Sequence, residues 1–172
     1  MSNRTWDETR EFMECLPPIL LSYAASVRDS DNNQSPLQII TNSNRRAPID
    51  VFRVLVSANP QEVAFQTPVR GSSPMHNLVR HSYVEAIAEL AKANPGAHLL
   101  RDCDGRIPFD VAKNDEVRSH IAEHFLRYGL AGELLMSHSY ESQKVCVFLG
   151  AFSHHQTSSL KHFALFLMNC RC

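Results

Sequence analysis

The chain has 172 residues, 44% apolar and 20% charged, an ordinary globular composition that excludes wholesale disorder. Seventeen basic against 18 acidic residues give a net charge of −1, a poor match for a protein that works by neutralising phosphates, so no nucleic-acid partner is expected. Cysteines stand at 15, 103, 146, 170 and 172 with no CxxC pair, which is neither a disulfide framework nor a zinc ribbon; free thiols in a reducing cytoplasmic or nuclear compartment are expected.

No apolar core of a signal peptide follows the charged N-terminus. The longest apolar runs, 145–152 and 163–168, fall well short of the roughly 20 residues of a membrane span. Residues 1–34 are expected to form a helical cap or degenerate repeat. There Glu8 to Ala25 carries Phe12, Met13, Leu16, Ile19, Leu20 and Leu21, with a break at Pro17-Pro18.

Next comes Ser35-Pro36-Leu37-Gln38. Proline suits a first helical turn and serine caps it, so a helix is predicted over Pro36–Thr41. A second follows around Val51, Val54 and Leu55 and ends at Asn59-Pro60, because the residue before proline avoids the helical region. Then Gly71 precedes Ser73-Pro74-Met75-His76, which opens a predicted helix Pro74–His81. Tyr83, Ile87, Leu90 and Ala91 mark its successor, ending at Asn94-Pro95. Asp104-Gly105 is a strong turn pair before Ile107-Pro108-Phe109-Asp110. A helix Pro108–Lys113 is predicted there, with Ile107 a poor cap. The last helix shows Val117, Ile121, Phe125 and Leu126 on one face, and Gly129 ends it by taking a positive φ.

The three signature prolines, Pro36, Pro74 and Pro108, lie 38 and then 34 residues apart. From Asn-Pro to glycine is 11 residues in one copy and 10 in the next. Three markers in one order at near-constant spacing identify internal repeats, 35–72, 73–106 and 107–129. A tetratricopeptide repeat shares the period but gives no reason for Ser-Pro at a helix start or Asp-Gly in a long turn.

Residues 35–129 resemble ankyrin repeats in the order of turn, Pro-led tetrapeptide and second helix. Ser73-Pro74-Met75-His76 is the nearest match to the family's Thr-Pro-Leu-His, while Gln38 and Asp110 replace the histidine and the usual Gly-Ala-Asp is missing. The resemblance implies an all-α solenoid of stacked helix-turn-helix units, with Ser35, Pro36, Gly71, Ser73, Pro74, His76, Gly105 and Pro108 as its structural signature. It implies that His76 ties neighbouring units by hydrogen bonds. It also implies a non-enzymatic adaptor or scaffold, a monomer without a cofactor, that binds another protein along turn tips and inner helices. Mapping the family's variable positions gives Arg70, Arg80, His81, Arg101, Asp104 and Arg106 as partner-binding residues, joined by Val69, Ser72, Cys103, Asn114, Asp115, Asp31, Asn32, Gln34, Asn42, Ser43, Arg45 and Arg46. Arg70, Arg80, Arg101 and Arg106 are expected to form one basic strip for an acidic segment of the partner.

The alternative is a small zinc-dependent hydrolase. His120-Ile121-Ala122-Glu123-His124 matches H-x-x-E-H, which places two histidines on one helical face. A third ligand is needed, and Glu133 and Glu141 are the next acids. Solvent-facing histidines on a repeat helix also explain the pentapeptide, and a pentapeptide without its context is a weak sign of zinc. Cys103, between Asp102 and Asp104, reads as an unreactive exposed thiol. The tail, 130–172, is a capping or docking helix through Leu160, Phe163, Ala164, Leu167 and Met168, a weakly ordered tail, or an end never selected to fold.

Overall fold

A computed structural model describes residues 4–43 and 46–130. Arg45 and the predicted tail beyond Leu130, with Glu133, Glu141 and the 160–168 face, lie outside the described residues. Among the described residues every regular element is helical: seven α-helices, three 3₁₀ turns and no strand. The chain divides into two compact units, 1–113 and 114–172.

In the first unit, α1 (Arg4–Cys15) and α2 (Pro18–Ser26) meet at the predicted proline break, where Pro17 is extended at ψ 145. Then come α3 (Pro36–Asn42), α4 (Ile49–Ala58), α5 (Pro74–Arg80) and α6 (Val84–Ala93). The Asn-Pro pairs end α4 and α6 as predicted. Each proline then starts a 3₁₀ turn, Pro60–Val63 and Pro95–Leu99. The helix predicted over Pro108–Lys113 is corrected to a single 3₁₀ turn, Pro108–Val111. It stops because Ala112 is extended, at φ −67 and ψ 129.

Ser35 and Ser73 cap α3 and α5. Each Oγ accepts from the backbone N–H three residues on, Gln38 or His76, at 3.4 Å. The side chain at that third position returns the bond, Gln38 Oε1 accepting from Ser35 N–H at 3.2 Å. Ile107 has no oxygen to offer, so only the return half survives: Asp110 Oδ2 accepts from Ile107 N–H at 3.0 Å.

Like helices pack on like. α3 lies against α5, and α5 against the 108–111 turn; α4 lies against α6. Within each copy α3 packs on α4 and α5 on α6. Leu37, Val51, Phe52, Val63, Met75, Leu78, Val79, Ile87, Leu90 and Ile107 are buried between these rows. Each such side chain contributes about 1.5–3 kcal/mol relative to exposure, an upper value for a compact unfolded chain.

The N-terminal pair departs from expectation. α2 packs on α3 and α4, and α1 on α4. Of the six predicted apolar cap residues only Met13 is buried. Phe12, Ile19 and Leu20 are exposed, because the packed face of this pair runs through Met13 and Ala25.

In the second unit, Asn114 Oδ1 accepts from Val117 N–H at 3.0 Å and caps α7 (Asp115–Arg127). Val117, Ile121, Ala122 and Phe125 are buried at helical spacing. Gly129 takes φ +68, and Leu130 N–H reaches back to Phe125 O at 2.9 Å, closing the helix. No described helix is long and apolar enough to cross a membrane.

Candidate functional site

The site is built from the turns that precede the signature prolines. Each folds back through a backbone bond: Asp29 N–H to Gln34 O at 2.9 Å, Thr67 N–H to Ser72 O at 3.1 Å, and Asp102 N–H to Arg106 O at 2.9 Å. In the outer two an aspartate carboxylate tightens the turn. Asp29 Oδ1 accepts from Gln34 N–H at 2.6 Å, and Asp102 Oδ1 from Arg106 N–H at 2.9 Å. This is the shared chemistry of the Asp29 and Asp102 segments.

Adjacent turns are also bonded to each other. Cys103 N–H donates to Arg70 O at 3.0 Å. Gln66 Nε2 donates to both Gly71 O (2.6 Å) and Arg101 O (2.5 Å). Gly71 is required here on two counts. Its φ is +61, and a Cβ would stand 2.9 Å from Cys103 N.

His76 is fully buried and ties α5 to the end of the turn before Pro108. Its Nε2 lies 3.0 Å from Arg106 O, and its Nδ1 lies 2.8 Å from Ser73 Oγ and 3.3 Å from Ser73 N. A carbonyl only accepts, so Nε2 carries the proton and Nδ1 accepts from Ser73. The ring is therefore neutral; burial holds its pKa below the usual histidine range, against the opposing carbonyl of Arg106. Gln38 performs the corresponding task one copy earlier. Its Nε2 donates to Phe65 O at 3.3 Å, reaching the start of the next turn where His76 reaches its end.

A concavity of about 250 Å³ opens between the second and third turns. Four of the six predicted partner-binding residues line it: Arg70, Arg80, Asp104 and Arg106. Val69, Ser72, Asp102 and Cys103 complete the wall. His81, the C-terminal neighbour of α5, and Arg101, whose Nη1 donates to Gly105 O at 2.7 Å, are not part of it.

The ion pairs give the arginines of the expected basic strip different roles. Arg106 is a strut of its own turn: its guanidinium meets Asp102 Oδ2 at 2.9 Å and Asp104 Oδ2 at 2.5 Å. Burial acts to raise the Asp102 pKa, but Arg106 and the backbone N–H groups outweigh it and hold the carboxylate below its usual range. Arg70 and Arg80 have no carboxylate partner among the described residues. Arg80 donates only to Asn77 Oδ1, at 3.3 Å. Burial first, then the charges of Arg106 and Arg70, lower its pKa from the ordinary arginine value.

The H-x-x-E-H segment lies on α7. His124 is buried, its ring edge-on to Tyr128 at 6.0 Å, and His120 and Glu123 are half-buried. Burial, with the nearby charges of Arg127 and His120, lowers the His124 pKa to about 4. Among the described residues no three His, Cys, Asp or Glu side chains converge as a metal would require. Cys103 is exposed on the tip, its Sγ 3.9 Å from Val69 O.

Gln66 was not singled out by sequence. It sits in no periodic pattern, and its role depends on two carbonyls, one of them 35 residues away.

No protein-family model matches the chain, and no curated protein matches it significantly.

Proposed function

We propose that the chain is a non-enzymatic protein-interaction module of ankyrin type, a cytoplasmic or nuclear monomer that binds a protein partner at its turn tips. One observation carries the reading. The concavity between two consecutive tips gathers four of the side chains that the ankyrin resemblance marks for binding, and two of them are cations without a carboxylate among the described residues. The stacked copies support the solenoid, with like helices packed on like and His76 tying one unit to the next turn. Arginine lacking a counterion at a partly buried rim is a residue type favoured for interfaces.

Affinity capture from a cell extract tests this, comparing the native chain with Arg70→Glu/Arg80→Glu. Arg106 is left intact because it holds its own turn. The double variant must keep the native helical circular dichroism spectrum. Proteins retained by the native chain and lost by the variant would support the module; an identical set on both would place the binding surface elsewhere.

A further inference from the structure

The concavity is more selective than a basic strip. Its wall holds three guanidiniums, Arg70, Arg80 and Arg106, and two carboxylates, Asp102 and Asp104. Arg106 is already committed to both aspartates. One net positive charge remains, offered by two guanidiniums that share the same space. The volume is several times the ~30 Å³ occupied by a liquid water, so a side-chain head fits. Asp104 stands 67% exposed on the rim and repels a chain of phosphates. At the tip beside Arg70, Val69 is 86% exposed, an apolar flank for whatever enters.

We infer that this concavity seats a single carboxylate side chain of a protein partner, forked between Arg70 and Arg80, with an apolar neighbour of that carboxylate covering Val69. The inference rests on the interaction-module reading and specifies its partner's chemistry. A monoanion matches the net charge of the seat, whereas a nucleic-acid backbone or a phosphorylated side chain brings excess charge against Asp104. The division of labour follows: Arg70 and Arg80 contact the ligand, and Arg106 positions the wall.

The test uses the full chain labelled with ¹⁵N and reads the arginine Nε–Hε signals by NMR. Three probes are titrated: the peptide acetyl-Gly-Leu-Glu-Leu-Gly-amide, its Gln counterpart and its phosphoserine counterpart. The Glu peptide should move the signals of Arg70 and Arg80, and the Gln peptide should bind about tenfold more weakly, the usual scale for losing a charge-assisted pair. Arg70→Gln and Arg80→Gln should each cost a similar factor at an unchanged denaturation midpoint. Val69→Ser should weaken binding by a smaller factor, about threefold. Equal binding of the Glu and Gln peptides, or tighter binding of the phosphoserine peptide, would overturn the carboxylate seat. So would an Arg106 signal that moves in place of the other two. If the Glu peptide leaves both signals still while the native chain captures proteins from extract, the seat fails and the module stands. If the native chain captures nothing and no peptide binds, both fail.

Discussion

The middle and last signatures carry proline in the same place, yet they build different objects. Ser73-Pro74-Met75-His76 opens a seven-residue helix buried from Pro74 through Val79. Ile107-Pro108-Phe109-Asp110 opens one 3₁₀ turn. The second residue after the proline has two tasks, and comparison separates them. Capping backward onto the N-cap N–H needs only an acceptor, and Gln38, His76 and Asp110 all supply one. Reaching forward to a carbonyl of the next turn needs a donor at some distance. Gln38 and His76 have it; an ionised aspartate has no proton to give.

The largest effect should come from removing both tasks at once. His76→Ala strands the Ser73 N–H, leaves the Arg106 carbonyl with Asp102 N–H as its remaining donor among the described residues, and opens a void, which should cost about 3 kcal/mol of unfolding free energy. His76→Gln should recover most of that loss, because Gln38 already does this work. Urea denaturation of the two variants side by side decides the matter; equal midpoints would break the comparison.

Protonation is a gentler probe of two buried histidines, one in each unit. His76 and His124 both have folded-state pKa values below the ordinary 6.5, chiefly through burial, His124 at about 4. The unfolded chain therefore takes up protons first as pH falls. Their contribution is fully present above about 6.5 and is lost as pH falls below it, a loss that for His124 runs down to about 4. The unfolding free energy should drop across that window, and His124→Gln should flatten the slope.

The turns give a smaller contrast. Gly71→Ala meets both a positive φ and a backbone atom at 2.9 Å, and should cost about 2–3 kcal/mol. Gly105→Ala has φ +76 but nothing within 4 Å of its Cβ, so backbone strain alone, about 1 kcal/mol, is expected. Thermal melts of the pair would show whether close approach or dihedral strain governs each tip. Smallest of all, Asp110→Asn keeps an acceptor for Ile107 N–H and should shift stability by less than about 0.5 kcal/mol, whereas Asp110→Ala should lose about 1.

These contrasts also show what the sequence made legible. Proline starts, asparagine-proline stops and positive-φ glycines follow from the backbone preferences of one or two residues. The element order was therefore readable; Gly129 takes the positive φ expected of it, and Gly71 and Gly105, which precede the signature prolines, take one as well. The serine caps were readable for the same reason, whereas the return bonds from Gln38, His76 and Asp110 were not singled out. The pairing of Arg106 was not: Asp102 and Asp104 lay in view, but counting charges does not tell a strut from a free cation. Nor did helical periodicity find the packed face of α1 and α2. An apolar stripe that includes Phe12, Ile19 and Leu20 looks like core until a neighbour chooses Met13 and Ala25 instead. Lys113 fell outside its predicted helix because one extended residue, Ala112, ended a segment too short to resist it.

The bond from Cys103 N–H to Arg70 O is made by main-chain atoms alone. It survives any replacement of the Arg70 side chain, and any at Cys103 short of proline. The exposed face of the tips is thus written in atoms the scaffold does not need. A binder-engineering library restricted to Val69, Arg70, Cys103 and Asp104, with Gly71 and Asp102 left intact, should yield mostly folded proteins, and the same freedom would let such a surface change its partner while the stack beneath it stays as it is.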